Sequence, residues 1–228
     1  MPILIFANQK GGVGKSTIAT LYANHLSEEM KDVNVLVVDV DFQKSIKRLR
    51  NEDLNMYRPS PEEIGYEIED FNLDTEDKAK KLIHYTKKLC DERPNTVVIF
   101  DFPGRIPEEI LGRIIYYADY IVCPIQYEEI VMSSTSILIS LIHGIKGNTT
   151  RKTMLFVPNR ISTNEGTVKE KQERVKTNKI LANFGTILPS IPKCVDLGRL
   201  CTLKSTKRQI EVTKKCFEEL DKAIFGEK

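Results

Sequence analysis

The segment that most constrains this chain is a glycine-rich run at residues 8–17, NQKGGVGKST. An apolar stretch, Ile3–Ala7, precedes this run, and a helical pattern follows from Ser16, which predicts a strand–turn–helix unit. The glycines allow backbone N–H groups to turn inward around phosphate oxygens, because no Cβ blocks the approach. The N-terminus of the following helix adds partial positive charge. The run therefore predicts a phosphate-binding loop.

Residue types within this loop predict how phosphate and a metal ion are held. Lys15 is placed to reach β- and γ-phosphates, and the Ser16 hydroxyl is placed to hold Mg²⁺. The general pattern G-x-x-x-x-G-K-[ST] has glycine where this chain has Gln9, and an additional lysine, Lys10, precedes the glycines. The predicted nucleotide-binding residues of the loop are Gly11, Gly12, Val13, Gly14, Lys15, Ser16 and Thr17. A glycine-rich turn without a ligand is the alternative, and the Lys–Ser pair between a strand and a helix argues against it.

The rest of the chain predicts an α/β fold, a mostly parallel sheet with helices on both faces. Its 228 residues, 41% of them hydrophobic, suffice for one globular domain, so we expect a single domain over 1–228 that contains the phosphate loop. Nearly continuous apolar runs predict strands at Ile3–Ala7, Val35–Asp39, Thr96–Asp101, Tyr120–Pro124, Thr153–Val157 and Thr186–Pro189. Helices are predicted near 15–30, 44–51, 76–92, 107–117, 129–145, 165–182 and 205–225. Residues 52–74 are the least regular, with a possible short strand at Tyr66–Ile68.

Aspartates stand at the ends of two predicted strands, where ligands bind in parallel α/β sheets. Asp39 and Asp41 close the second strand, and Asp101 closes the strand Thr96–Asp101. We expect Asp101 to bind Mg²⁺ through water. Phosphoryl transfer needs positioning and charge neutralisation more than a strong base, which carboxylates near the metal supply. A helix N-cap is the alternative role for an aspartate at such a position.

The motif ANQKGGVGKST resembles the opening of the ParA/Soj partition ATPases, in the wider group that includes MinD and the nitrogenase iron protein. The resemblance implies a P-loop NTPase fold of the ParA/MinD type, ATP with Mg²⁺, and a homodimer when ATP is bound. In that family the early lysine, here Lys10, reaches across the dimer to the partner's phosphates. The family's D-x-D-P-Q signature matches Asp39, Asp41 and Gln43, with Phe42 in place of proline. It implies that Asp41 positions the attacking water and that Asp39 sits nearer the Mg²⁺.

Later blocks of the sequence match the same family in part. Where the family has D-T-P-P, its γ-phosphate sensor, this chain has Asp101-Phe102-Pro103-Gly104. Asn159 matches an asparagine that reads the adenine edge, although a turn-forming asparagine is the alternative. Pro192 lies in a loop that matches the one packing against the base. The resemblance covers about 1–50 and 95–200.

Charge is distributed unevenly along a chain whose net charge is only +2. Residues 146–208 contain 14 Lys/Arg and 4 Asp/Glu, whereas 1–145 contain 16 and 23. A basic segment in a nearly neutral protein is typical of a polyanion-binding site, and a solvated helix face is the alternative. With the resemblance, this pattern predicts non-specific DNA binding and a ParB-like activator protein as a partner.

Three further predictions concern location and competing functions. The absence of a signal-peptide pattern and of a long apolar run predicts a cytoplasmic protein, with membrane association disfavoured. Five cysteines without a CxxC pair do not indicate a disulfide framework or a zinc site. A MinD-like membrane switch needs an amphipathic last helix, but 205–225 carries acidic residues among its lysines, so we expect a core-packed helix. A conjugation regulator on a mobile element, or a regulator that binds ATP without hydrolysing it, also stays open.

Overall fold

Seven parallel strands form one sheet in the computed structural model, which describes residues 2–104, 106–144, 153–162 and 167–226. In chain order the strands are β1 Ile3–Phe6, β2 Asn34–Asp39, β3 Glu67–Asp70, β4 Thr96–Asp101, β5 Tyr120–Ile125, β6 Thr153–Pro158 and β7 Thr186–Ile187. Across the sheet their order is β3-β2-β4-β1-β5-β6-β7, and each neighbouring pair is parallel. The predicted α/β fold with a parallel sheet is confirmed.

Helices cover both faces of this sheet. They are α1 Lys15–Glu29, α2 Ser45–Tyr57, α3 Glu76–Glu92, α4 Glu108–Ile115, α5 Glu129–Gly144, α6 Val168–Leu181 and α7 Lys207–Phe225. Two 3₁₀ helices, Pro61–Glu63 and Val195–Gly198, lie in the connections. Apolar residues of α1, α2 and α7 pack in the core on one face, and those of α3, α4, α5 and α6 pack in the core on the other.

β1 shows why the strand sequences are apolar throughout. Ile3 and Ile5 pack in one core, while the alternating Leu4 and Phe6 pack in the other. Successive side chains of a strand point to opposite faces, so a strand covered by helices on both faces buries every residue. The strand is thus held in the middle of the sheet, with its carboxyl end feeding the glycine-rich loop.

The structure differs from the sequence predictions mainly between residues 44 and 70. The helix predicted to end at 51 continues to Tyr57, and it ends where Arg58 adopts φ 46° before Pro59. The residue before a proline is disfavoured in the helical region, so the helix stops there and not earlier. The short strand predicted at Tyr66–Ile68 is present as β3 and pairs with β2. β7 is shorter than predicted, with two residues.

The last helix, α7, packs against α1 through a polar contact set among aromatic rings. The Tyr22 hydroxyl donates to Asp221 Oδ1 at 2.8 Å, and His25 Nε2 lies 2.8 Å from Asp221 Oδ2. The Phe217 ring lies edge-on to Tyr22 with 5.2 Å between ring centroids. α7 therefore packs on the core, as its sequence predicted. Within the described residues, none of the helices is long and apolar enough to cross a membrane.

Replacing Asp221 tests this packing. Asp221→Ala removes the acceptor of the fully buried Tyr22 hydroxyl, so we expect the free energy of unfolding to fall by about 1–3 kcal/mol. Urea denaturation followed by circular dichroism measures the change. Glu218→Ala, on the same helix but in an exposed pair with Lys214, is the control and should cost no more than about 0.5 kcal/mol. Equal losses in the two variants would contradict the assigned role of Asp221.

Candidate functional site

The register of the three central strands brings the predicted site residues to one edge of the sheet. Phe6 of β1 pairs with Asp101 of β4, and Asp101 pairs with Asp39 of β2. The three strands run parallel, and this register aligns their carboxyl ends at the same edge of the sheet. The loop that leaves β1 therefore begins beside the carboxylates that close β2 and β4.

Two glycines give the phosphate loop its shape. Gly12 has φ 80° and Gly14 has φ 100°, a region that residues with a Cβ rarely adopt. Gly14 also has no room for a side chain, since a Cβ there would lie 2.3 Å from Asn159 Nδ2. The Gly14 carbonyl then accepts the first hydrogen bond of α1, from Ile18 N. The predicted phosphate loop thus forms a turn that runs directly into the N-terminus of α1. Its residues are Gly11, Gly12, Val13, Gly14, Lys15, Ser16 and Thr17.

Asn8, to which the sequence assigned no role, anchors the start of the loop. Its buried side-chain amide donates to Pro124 O at 3.0 Å and to Thr135 Oγ1 at 3.1 Å, on β5 and α5. Its Oδ1 accepts Lys10 N at 3.0 Å. The loop is therefore tied to neighbouring elements at the point where it leaves β1. A polar residue directly after a buried strand was the available signal in the sequence.

Lys15 is buried at the centre of the loop. Burial lowers its pKa, while the nearby Asp101 and Asp41 carboxylates act in the opposite direction. Its Nζ donates to Lys10 O at 3.1 Å. Anions stabilise an ammonium group that is held out of water. Lys15 would therefore strengthen the binding of a phosphate group in this loop substantially.

Asp101 is fully buried, and burial raises its pKa to about 7, with the Ser16 hydroxyl acting in the opposite direction. The Ser16 hydroxyl is near this carboxylate, but in the described part of the protein neither carboxylate oxygen accepts a hydrogen bond of normal geometry. A buried carboxylate without donors is costly, and a cation with bound water removes that cost. The residues present therefore fit Mg²⁺, with Ser16 and Asp101 as the groups that would hold it or its water.

Asp39 and Asp41 differ in what they contact. Asp39 Oδ2 accepts Ile46 N at 2.9 Å and Lys47 N at 3.0 Å, and its Oδ1 accepts Asp41 N at 3.2 Å. Although the N-cap residue of α2 is Lys44, Asp39 satisfies N–H groups of the first turn as a helix cap does, and its place near Mg²⁺ stays a prediction. Asp41 is half-buried, and its Oδ1 accepts Gln43 N. It faces the same region as Lys15, as its effect on the pKa of that lysine shows.

The loop after β4 touches the phosphate loop directly. A Cβ on Gly104 would lie 3.0 Å from Gly11 N, so a side chain there would force the two backbones apart by a few tenths of an ångström. Phe102, which stands where the related motif has threonine, is buried against Phe100 with 6.2 Å between ring centroids. Phe102 therefore belongs to the core, and Gly104 makes the contact with the loop.

Asn159 and Pro192 lie beside a cavity of about 310 Å³ next to the loop. Its lining includes Gly14, Thr17 and Asn159, together with residues in and just before the 3₁₀ helix Val195–Gly198, namely Lys193, Cys194, Val195, Leu197 and Gly198. Asn159 is buried, and its amide donates to Val13 O at 2.8 Å, so here it supports the phosphate loop. Pro192 is half-buried and pairs with Ile161, next to the lining residues Ile191 and Lys193. Contacts of either residue with a base stay predictions.

Comparison with protein families identifies one domain over most of the chain. Residues 4–201 match the family described as CobQ/CobB/MinD/ParA nucleotide binding domain. The match includes the phosphate loop and the strand-end aspartates described above. None of the curated proteins compared with the chain matches it.

Solved structures share the fold at low sequence identity. A plasmid partition protein from Borrelia burgdorferi B31 bound to AMPPNP has a TM-score of 0.73 and 19% identity, covering 98% of this chain and 99% of that one. The MinD cell division protein of Aquifex aeolicus has a TM-score of 0.68 and 17% identity, with coverage of 100% and 98%. Cobyrinic acid a,c-diamide synthase from Mycobacterium smegmatis, with bound ATP analog and magnesium, has a TM-score of 0.60 and 20% identity, with coverage of 89% and 91%.

The glycine at position 14 offers a direct test of the loop geometry. Gly14→Ala forces a Cβ into the Asn159 amide at a left-handed φ, so we expect ATP affinity to fall at least about 100-fold, from strain and displacement together. Isothermal titration with ATP and Mg²⁺ measures it. Gly112→Ala, where a Cβ meets only an ordinary 3.7 Å contact, is the control and should bind as the wild type does. Normal binding by Gly14→Ala would show that the nucleotide site lies elsewhere.

Proposed function

The chain belongs to the CobQ/CobB/MinD/ParA nucleotide-binding family, and we propose that within it the chain acts as a ParA-type switch that dimerises on ATP and binds DNA non-specifically. As a member of this family it is an ATPase that uses ATP with Mg²⁺. The observation that carries the proposal is the pair of lysines on the phosphate loop. Lys15 is buried inside the loop, and Lys10 precedes the glycines on its more exposed side.

Lys10 is suited to act on a second subunit. Its backbone is fixed at both ends, since its N–H donates to Asn8 Oδ1 and its carbonyl accepts Lys15 Nζ. No carboxylate in the described part of the chain pairs with its ammonium group. A partner docking face to face, with its nucleotide opposite the loop, would receive this charge at its γ-phosphate, where neutralisation of the transition state has the largest effect.

Hydrolysis in the proposed switch is slow and depends on a partner. Asp41 is the carboxylate that would orient the attacking water, and its Oδ1 accepts Gln43 N, which fixes the side chain. Neither the phosphate loop at 8–17 nor the segment 39–43 contains an arginine that would neutralise the transition state. A ParB-like activator protein would complete the site and so release the dimer from DNA.

The proposed DNA contact is the exposed side of α6. Lys169, Lys176 and Lys179 are spaced so that they share one side of the helix, and all three are exposed. A second group, at and before the start of α7, comprises Arg199, Lys204, Lys207 and Arg208. Arg199 and Arg208 there pair with Asp196 and Glu211. Residues 146–152 and 163–166 of the predicted basic segment lie outside the described residues.

A membrane-associated switch like MinD is the second candidate, favoured only by the similarity of fold. The buried face of α7, which includes Cys216, Phe217 and Leu220, is already packed in the core and is not available to a bilayer. Co-sedimentation with anionic liposomes separates the two. Nucleotide-dependent pelleting without DNA binding would replace the DNA proposal with this one.

The role of Lys10 predicts a specific dimerisation defect. Lys10→Ala should retain ATP binding, because Lys15 and the loop N–H groups remain, but lose the ATP-dependent dimer. Light scattering with a slowly hydrolysed ATP analogue measures the mass. Lys31→Ala, an exposed lysine near the far end of α1, is the control and should dimerise normally. A normal dimer in Lys10→Ala would rule out a trans role for this lysine.

The α6 lysines predict a salt-dependent DNA contact. For Lys176→Gln combined with Lys179→Gln, we expect weaker binding to any duplex and a slope of log affinity against log salt reduced by about one per lysine in each subunit. Mobility shifts on two unrelated duplexes, with and without ATP, measure this across a salt series.

The matched control for the DNA experiment changes the same number of charges elsewhere. Lys81→Gln with Lys88→Gln alters two exposed lysines of α3 and should leave the salt slope unchanged. Should both double variants lose the same affinity, net charge alone would account for binding. If the DNA affinity of the wild type does not change with salt concentration, DNA binding is removed from the proposed function.

A further inference from the structure

Two charged residues lie on the buried face of α2, where a core helix normally carries apolar side chains. Arg50 is 4% exposed and Asp53 is 6% exposed. Burying charge is costly unless hydrogen bonds and opposite charge compensate it. Both side chains contact the same residue, Thr202, which is fully buried. The two buried charges therefore indicate a specific hydrogen-bonded contact between α2 and the segment that contains Thr202.

The contacts use every hydrogen-bonding group of Thr202. Asp53 Oδ2 accepts Thr202 N at 2.6 Å and Thr202 Oγ1 at 2.7 Å. Arg50 Nη2 donates to Thr202 O at 3.0 Å, and its guanidinium lies 4.5 Å from the centroid of the Tyr66 ring. Hydrogen bonds to charged groups are about twice as strong as those between neutral groups. We call Arg50, Asp53 and Thr202 the α2 clamp.

Thr202 follows the wall of the cavity beside the phosphate loop. That wall includes the 3₁₀ helix Val195–Gly198, and only three residues separate Gly198 from Thr202. Gln209 Nε2 holds the same stretch from α7, donating to Asp196 O at 2.8 Å and to Arg199 O at 3.0 Å. The position of the wall is therefore set from α7 at one end and by the α2 clamp at the other.

The other end of α2 lies at the catalytic edge of the sheet. Asp39 caps its first turn through Ile46 N and Lys47 N, and Asp41 stands in the loop just before the helix. Helices transmit displacement along their axis because their backbone hydrogen bonds keep them rigid. One rigid element thus joins the Asp41 loop to the cavity wall.

We propose that Asp53 is a positioning residue that, through Thr202, fixes the wall of the cavity beside the phosphate loop, where the nucleotide base would lie, and couples occupancy of this base pocket to α2 and the Asp41 loop. The proposal rests on the nucleotide site proposed above and adds the means by which the base is sensed. The hydrogen bonds of the clamp join α2 to Thr202 and not to the phosphate loop, so we expect phosphate binding alone to leave the clamp unaffected.

Binding of ADP and of inorganic pyrophosphate separates the two parts of the site. Both carry two phosphates, but only ADP has a base. We expect Thr202→Val, which removes the hydroxyl donor while keeping the size of the side chain, to lower ADP affinity about tenfold and to leave pyrophosphate affinity unchanged. Thr202→Ser keeps the hydroxyl and should bind ADP nearly as the wild type does.

Thr86→Val is the matched control, because the buried Thr86 hydroxyl donates to Leu82 O within α3, in a helix that the clamp does not contact. It should bind both ligands normally. Equal losses for ADP and pyrophosphate in Thr202→Val, or no loss of ADP affinity, would overturn the clamp proposal. If the wild type binds ADP no better than pyrophosphate, the assignment of the cavity as the base pocket is wrong, independently of the role of the clamp.

Hydrogen–deuterium exchange on the wild-type protein gives a second readout that needs no variant. ADP should slow exchange at 195–206 and along α2, whereas pyrophosphate should slow it only around the phosphate loop. Exchange along α2 that responds equally to both ligands, or to neither, would contradict the coupling.

Discussion

The buried ammonium of Lys15 beside the buried carboxylate of Asp101 is the interaction on which the site depends. Parallel pairing of β1 with β4 places these groups at one edge of the sheet, and the apolar strands keep water away from both. Asp101 raises the pKa of Lys15, against the lowering by burial, yet neither oxygen of Asp101 accepts a hydrogen bond of normal geometry in the described residues. Each charge is therefore only partly compensated. A bound Mg²⁺ would compensate the Asp101 carboxylate, and a bound phosphate would compensate the Lys15 ammonium group.

The backbone around this pair is held by hydrogen bonds from two asparagines and by glycines at positions of close approach. Asn8 ties the start of the loop to β5 and α5, and Asn159 donates to Val13 O on its far side. Gly14 and Gly104 are the positions where a Cβ would push the loop out of place. The loop is therefore preorganised, so binding phosphate requires little further ordering of the chain. The α2 clamp extends this arrangement to the cavity wall.

Much of this could be predicted from the sequence because the informative patterns are local. The motif at 8–17 predicts a phosphate loop between a strand and a helix. Apolar runs that end in aspartate predict which carboxylates lie together at the edge of the sheet. Asn8, Asp53 and Thr202 could not be assigned because their partners are more than 100 residues away along the chain. Asp53 also fell in a segment read as irregular, whereas α2 continues to Tyr57. Asp39 and Asn159 show a further limit, since the same residue types serve as helix cap and loop support as readily as they bind ligands.

The most direct test of this account is the dependence of ATP affinity on Mg²⁺ in the wild type and in Asp101→Asn. If Lys15 and Asp101 act together on a magnesium–phosphate pair, Mg²⁺ should strengthen ATP binding to the wild type by at least about tenfold, and Asp101→Asn should lose that gain while still binding ATP without metal. Calorimetric titrations with and without EDTA measure all four affinities. An unchanged gain from Mg²⁺ in Asp101→Asn would show that the buried carboxylate does not serve the metal and would contradict the account.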